Sequence, residues 1–158
     1  MTIQIDEKIP ALTLQVFGEE GPKAVTTDEL FAGKKVVMFA VPGAFTPGCS
    51  RTHLPGFVAN AAAIKAKGVD SIICTSVNDA FVMHEWGKVH HADDIIMLAD
   101  GNAQLATALG LSKDASAFGM GTRSSRYGMI VEDGVVKALN IDEKGIDKSS
   151  AETMLSLL

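Results

Sequence analysis

Lys35-Val36-Val37-Met38-Phe39-Ala40-Val41-Pro42-Gly43-Ala44-Phe45-Thr46-Pro47-Gly48-Cys49 is the stretch that decides the reading of this chain. After one lysine it runs apolar as far as Val41 and stops at Pro42-Gly43, the pattern of a strand buried on both faces. Its last residue is a cysteine at an apparent helix start. Beyond it, apolar residues recur at Leu54, Phe57, Val58, Ala61, Ala62 and Ile64, until Lys67-Gly68 closes the segment with a cation and a glycine. Pro55-Gly56 predicts a kink near the first turn. A helix start leaves backbone N–H groups without intrahelical partners and carries the positive end of the helix dipole, and both favour a thiolate over a thiol. The stretch therefore points to sulfur chemistry at the end of a buried strand.

Outward from it, residues 69–77 form a second apolar run, and Asn78-Asp79 caps a helix running toward His91. Ile95-Ile96-Met97-Leu98-Ala99 reads as a third strand, and residues 103–109 as a short helix closed by Gly110. Residues 126–131 and 135–139 flank Glu132-Asp133-Gly134, whose Asp-Gly pair signals an antiparallel hairpin. Residues 151–158 close the chain as an amphipathic helix with Ser149-Ser150 as capping candidates. Parallel units followed by a hairpin imply an α/β fold with a central mixed sheet flanked by helices. Such sheets bind ligands at the carboxyl ends of their parallel strands, where residues 42–49 lie.

The 158 residues, 47% hydrophobic and 21% charged, suit one domain over 1–158 with a single sizeable core. Net charge is −5 and the basic residues are scattered, which sets aside a nucleic-acid partner. No segment approaches the ~18 apolar residues of a membrane span, and residues 1–8 carry no leader-like pattern, so a cytoplasmic location is expected. Cys49 and Cys74 are too few for a disulfide scaffold and are not spaced as Cys-x-x-Cys, so both should rest as thiols in a reducing compartment.

Pro42-x-x-x-Thr46-x-x-Cys49 resembles the signature of the peroxiredoxins, thioredoxin-fold enzymes that reduce hydroperoxides with a cysteine thiolate. The blocks His53-Leu54-Pro55-Gly56-Phe57, Val77-Asn78-Asp79-Ala80-Phe81-Val82, Glu85-Trp86-Gly87 and Arg123-Ser124-Ser125-Arg126-Tyr127 extend the likeness to the peroxiredoxin-5, or plant type II, subgroup. The resemblance implies a Cys49 nucleophile acting without metal or cofactor, a Thr46 hydroxyl on the peroxide, an Arg126 cation beside the sulfur and the breaking O–O bond, and a shielding Pro42. It also implies a homodimer joined at the active-site end. Ionisation of Cys49 is not enough for such an activity. A free thiol of pKa about 8.5 is roughly 3% thiolate at pH 7, so full ionisation gains only about 30-fold. The remainder must come from holding the peroxide and stabilising charge on its leaving oxygen.

Plainer readings stand beside these. Thr46 can simply cap the helix, Pro42 can simply end the strand, and Arg126 can be a solvated surface charge. Cys49 and His53, four apart, also suit a thiolate–imidazolium pair or half a metal site, although the His-Leu-Pro-Gly-Phe block suggests a structural His53. Thr46-Pro47-Gly48-Cys49 resembles a thioredoxin site whose first cysteine has become threonine, which argues against a dithiol reductase. Trp86, Phe45 and Phe118 are core residues or line the pocket or a subunit contact. Cys74, within Ile72-Ile73-Cys74-Thr75, is a buried small hydrophobe or a resolving thiol. Pairing with Cys49 would require the two Cα atoms within about 7 Å. Animal-like members carry a resolving cysteine near the C-terminus, where this chain reads Lys148-Ser149-Ser150-Ala151. An external thiol, glutathione with glutaredoxin or thioredoxin, is therefore the expected reductant. The alternative function is a redox sensor or holdase in which Cys49 oxidation alters a partner surface.

Overall fold

The computed structural model describes residues 1–158. In chain order the elements are β1 (Thr13–Gly18), β2 (Gly21–Thr26), α1 (Thr27–Phe31), β3 (Lys35–Ala40), a π turn (Cys49–His53), α2 (Leu54–Lys65), β4 (Ser71–Ser76), α3 (Ala80–Val89), β5 (Ile95–Ala99) and α4 (Gln104–Ala108). A two-stranded pair, β6 (Ser112–Asp114) and β7 (Thr122–Ser124), then leads to β8 (Arg126–Glu132), β9 (Val135–Asp142) and α5 (Ala151–Ser156). The apolar run is β3, inside a seven-stranded sheet. Its side chains alternate between two cores, with Val37 and Phe39 in one and Val36, Met38 and Ala40 in the other, which is why the run shows no polar alternation.

The sheet order is β2-β1-β5-β4-β3-β8-β9, with β3, β4 and β5 parallel and the outer strands antiparallel to their neighbours. This is the mixed sheet expected from the order of elements. One face is covered by α2, α3 and α5 through Leu54, Phe57, Met83, Trp86 and Met154, and the other by α1 and α4 through Leu30, Phe31 and Leu105. The hairpin turn at Asp133-Gly134 has positive φ at both residues, 48° and 77°, as its sequence requires.

Several elements depart from the sequence pattern. The β1–β2 hairpin and the β6–β7 pair carry no clear signal in it, because their short, partly or wholly exposed strands lack the unbroken apolar runs of the centre, whereas α1 opens on a capping box of Thr26 and Glu29. Asp79 caps α3 by accepting from the Val82 N–H at 2.9 Å, but Asn78 does not cap. Its Oδ1 instead accepts from the Ala44 N–H at 3.0 Å and from Ser76 Oγ at 2.7 Å, fastening the 42–49 loop to the end of β4. The kink expected at Pro55-Gly56 takes the form of the π turn: Leu54 N–H donates to the Cys49 carbonyl, five residues back, and Pro55 has no N–H to restore the α pattern.

α5 packs on β8 at Gly128, where a Cβ would lie 2.6 Å from Met154 Sδ. Gly128→Ala is expected to lower stability by about 1–3 kcal/mol through this overpacking. Chemical denaturation of the two proteins checks it, and a smaller cost of Gly128→Ala when it is measured in a Met154→Ala background than in the native one identifies the clash as the cause.

Candidate active site

The C-terminal ends of β3 and β4 place residues 41–49 and 77–79 along one sheet edge. Because β8 is antiparallel to β3, with Tyr127 opposite Ala40, its first residue Arg126 comes to that same edge from 77 positions away in sequence. Residues 42–49 form a compact loop. Thr46 Oγ1 donates to the Gly43 carbonyl at 2.6 Å, and the Thr46 carbonyl receives the first helical bond, from Ser50 N–H at 2.9 Å. Cys49 N–H has no acceptor within the protein and belongs to the free amide end of the helix. Trp86, fully buried, donates from its indole N–H to Ser50 Oγ at 2.9 Å and steadies the next turn.

Cys49 is buried, and Arg126 Nη2 donates to its sulfur at 3.2 Å. The other guanidinium nitrogen, Nη1, donates to His53 Nδ1 at 2.7 Å, and His53 Nε2 meets the Ser149 carbonyl at 2.9 Å. A carbonyl accepts and a guanidinium donates, so the imidazole is neutral with its proton on Nε2. Burial drives the His53 pKa down to about 4; the Arg126 charge adds to this, and the Ser149 carbonyl opposes it. Both ring nitrogens are engaged, which leaves none for a thiolate–imidazolium pair with Cys49 or for a metal. His53 is a structural partner of Arg126, a role that its place in sequence beside Cys49 does not disclose.

Beside Arg126 lies a cleft of ≈ 520 Å³ walled by Pro42, Gly48, Asp142 and Ile146. The structure thus brings Pro42, Thr46, Cys49 and Arg126 to one edge. Trp86 is core, whereas Phe45 and Phe118 are 54% and 81% exposed. Cys74 is wholly buried on β4, opposite Phe39 and Met97, and burial pushes its thiol well above the ordinary cysteine range.

The redoxin family model matches residues 4–155. The chain is 50% identical to peroxiredoxin-2E-2, chloroplastic, of Oryza sativa subsp. japonica, over 99% of this chain and 73% of the relative. The chain belongs to the type II peroxiredoxins. A second relative of this peroxiredoxin, peroxiredoxin-2E, chloroplastic, of Arabidopsis thaliana, is 46% identical over 99% of this chain and 70% of its own length. Among solved structures, reduced Prx3 of Vibrio vulnificus in complex with hydrogen peroxide superposes with a TM-score of 0.95 at 51% identity, covering 99% of both chains. The peroxiredoxin is accordingly a thiol peroxidase with a thioredoxin-like fold. The cytoplasmic location expected from residues 1–8 is overturned by the rice and Arabidopsis relatives, which are chloroplastic. Compartment is set by targeting signals rather than by this fold, so the ordinary composition of residues 1–8 is no ground for placing the chain.

The buried imidazole makes stability depend on pH. Between about pH 6.5 and 4 the unfolded chain binds a proton at His53 that the folded protein refuses, so stability falls as pH drops through that window. The expected contribution of His53 is a loss of about 2 kcal/mol from pH 7 to pH 4.5. Urea unfolding at both values should show this loss in the native peroxiredoxin and a correspondingly shallower one in His53→Gln; equal slopes would contradict it.

Proposed function

We propose that Cys49 is the peroxide-attacking nucleophile of this peroxiredoxin and that Thr46, Arg126 and Pro42 form its peroxide site, within one thioredoxin-like domain spanning residues 1–158. The observation that carries this reading is the Arg126 guanidinium 3.2 Å from Cys49 Sγ, beside an amide end with an unpaired N–H. A cation and free amides fixed around one sulfur are suited to a thiolate and to the charge that develops as a peroxide bond breaks.

In the proposed reaction the Cys49 thiolate attacks one peroxide oxygen. The S–O bond forms as the O–O bond breaks, and the departing hydroxide or alkoxide leaves with the electron pair and takes a proton from solvent. Sulfur is oxidised by two electrons to the sulfenic acid, and the leaving oxygen ends as water or as an alcohol. Thr46 contributes in a particular sense. Its proton is committed to the Gly43 carbonyl, so its lone pairs are left to accept from the peroxide O–H. Hydrogen peroxide and small alkyl hydroperoxides are the substrates we assign, and Pro42 limits water at the site.

For the return to thiol, a first external thiolate displaces water from the sulfenic acid and forms a mixed disulfide, and a second thiol releases Cys49. Glutathione with glutaredoxin, or thioredoxin, is the proposed donor. The burial of Cys74 within β4, with its thiol held strongly protonated, supports an external rather than an internal partner. A homodimer joined at the active-site end is supported by the exposed rings of Phe45 and Phe118.

Peroxide consumption with each donor system should vanish in Cys49→Ser and stay within about twofold in Cys74→Ser. Thr46→Val should lower kcat/KM about 10²-fold while Thr46→Ser retains most of it. Mass spectrometry after one equivalent of peroxide with glutathione should find a glutathione adduct on Cys49. Quantitative Cys49–Cys74 disulfide instead would refute the external-thiol cycle.

A further inference from the structure

The hydrogen bonds that aim Arg126 continue past His53 to a buried carboxylate at the far wall of the cleft, one that makes no hydrogen bond to Cys49. Asp142 ends β9 directly opposite Arg126 in the β8–β9 register, is 8% exposed, and turns its carboxylate onto the loop that follows. Oδ2 accepts from Ser149 N–H at 2.8 Å, Ser149 Oγ at 2.6 Å and Asp147 N–H at 3.1 Å, and Oδ1 accepts from Lys148 N–H at 3.1 Å. Burial raises the Asp142 carboxyl, but these donors, Ser149 foremost, outweigh it and hold the group ionised below the usual range. The loop so gathered presents the carbonyl of fully buried Ser149 to His53 Nε2.

We propose that Asp142 is a positioning residue for the peroxidase site. By folding residues 147–149 around its carboxylate it fixes the Ser149 carbonyl on His53 Nε2, which leaves Nδ1 as the acceptor that turns Arg126 onto Cys49 Sγ. The histidine tautomer is the link. A neutral imidazole carries one proton, and only a fixed acceptor at Nε2 keeps Nδ1 bare for the guanidinium. Without that acceptor the Nδ1–H form becomes accessible, and it would set a donor against the Arg126 N–H. The arrangement parallels the way an outer acceptor fixes the tautomer of a metal-ligating histidine, with a guanidinium in the place of the metal. Asp142 makes no hydrogen bond to Cys49, and its effect reaches the sulfur through three intervening groups, Ser149, His53 and Arg126.

The inference rests on Arg126 acting at Cys49, and the test separates the two. Asp142→Asn keeps the shape but puts an NH2 group where an acceptor is needed, and Ser149→Ala removes one donor while keeping the backbone N–H. Sulfenic acid formation in single turnover should slow roughly tenfold in Asp142→Asn and about threefold in Ser149→Ala. In a His53→Gln background both effects should largely disappear, because the link they act through is gone. Imidazole nitrogen chemical shifts of the folded proteins should report Nε2–H at His53 in the native chain and a growing share of Nδ1–H in Asp142→Asn. A purely structural role would lower melting temperature without changing that tautomer. If Asp142→Asn does not fold, Ser149→Ala with and without His53→Gln decides the question alone. An unchanged tautomer in folded variants, or effects that multiply fully with His53→Gln, would overturn the proposal. An unchanged rate of sulfenic acid formation in Arg126→Gln would refute the underlying reading instead, leaving the tautomer result of the native chain and Asp142→Asn intact.

Discussion

One guanidinium joins the parts of this site. Arg126 divides its nitrogens between Cys49 Sγ and His53 Nδ1, so the residue that bonds the sulfur is itself held by a side chain from the same helical turn as the sulfur. Both partners are buried, where a misplaced charge is costly and a well-placed one is strong. The geometry depends on the antiparallel pairing of β8 with β3. A parallel β8 would bring Arg126 to the opposite edge of the sheet.

The surrounding structure keeps that edge still. Asn78 fastens the loop before the cysteine, Trp86 fastens the turn after it, and the Asp142 loop stands behind His53. Arg123, a second arginine close to the first in sequence, plays a different part, donating to the carbonyls of Met120 and Val77 and so tying two loops together. The two arginines show that residue type alone does not decide which cation meets the sulfur. Only the one whose strand register ends at the sulfur has access to it.

Sequence is informative where physical chemistry is local. The apolar run of β3, the Asp-Gly turn and the cap at Asp79 each follow from a few adjacent residues. The resemblance of spaced blocks then supplies Arg126, which no local pattern could join to Cys49. What stays hidden is of another kind. Whether His53 faces sulfur, metal or guanidinium depends on strands far away in sequence, and the tautomer depends on a carbonyl 96 residues distant. Asp142 looks like any acidic residue near a strand end, and its value lies in the turn it organises. The π turn is half legible, since Pro55 signals an irregularity without saying how the missing N–H is absorbed.

The β1–β2 hairpin, silent in the sequence pattern, bears on how the protein survives in a crowded solution. Without it the sheet would end at β5, Ile95-Ile96-Met97-Leu98-Ala99, an apolar strand with open backbone groups that invites pairing with another chain. The hairpin moves the border outward to β2, whose Gly21-Pro22-Lys23 opening offers a missing donor and a charge to any incoming strand. At the opposite border the N-terminal segment lies along the start of β9, with Asp6 N–H bonded to the Val136 carbonyl and Val136 N–H to the Glu7 carbonyl. The first residues of both edge strands are thereby made poor templates for cross-chain β pairing, β2 by its proline and lysine and β9 by the segment laid along Val135 and Val136.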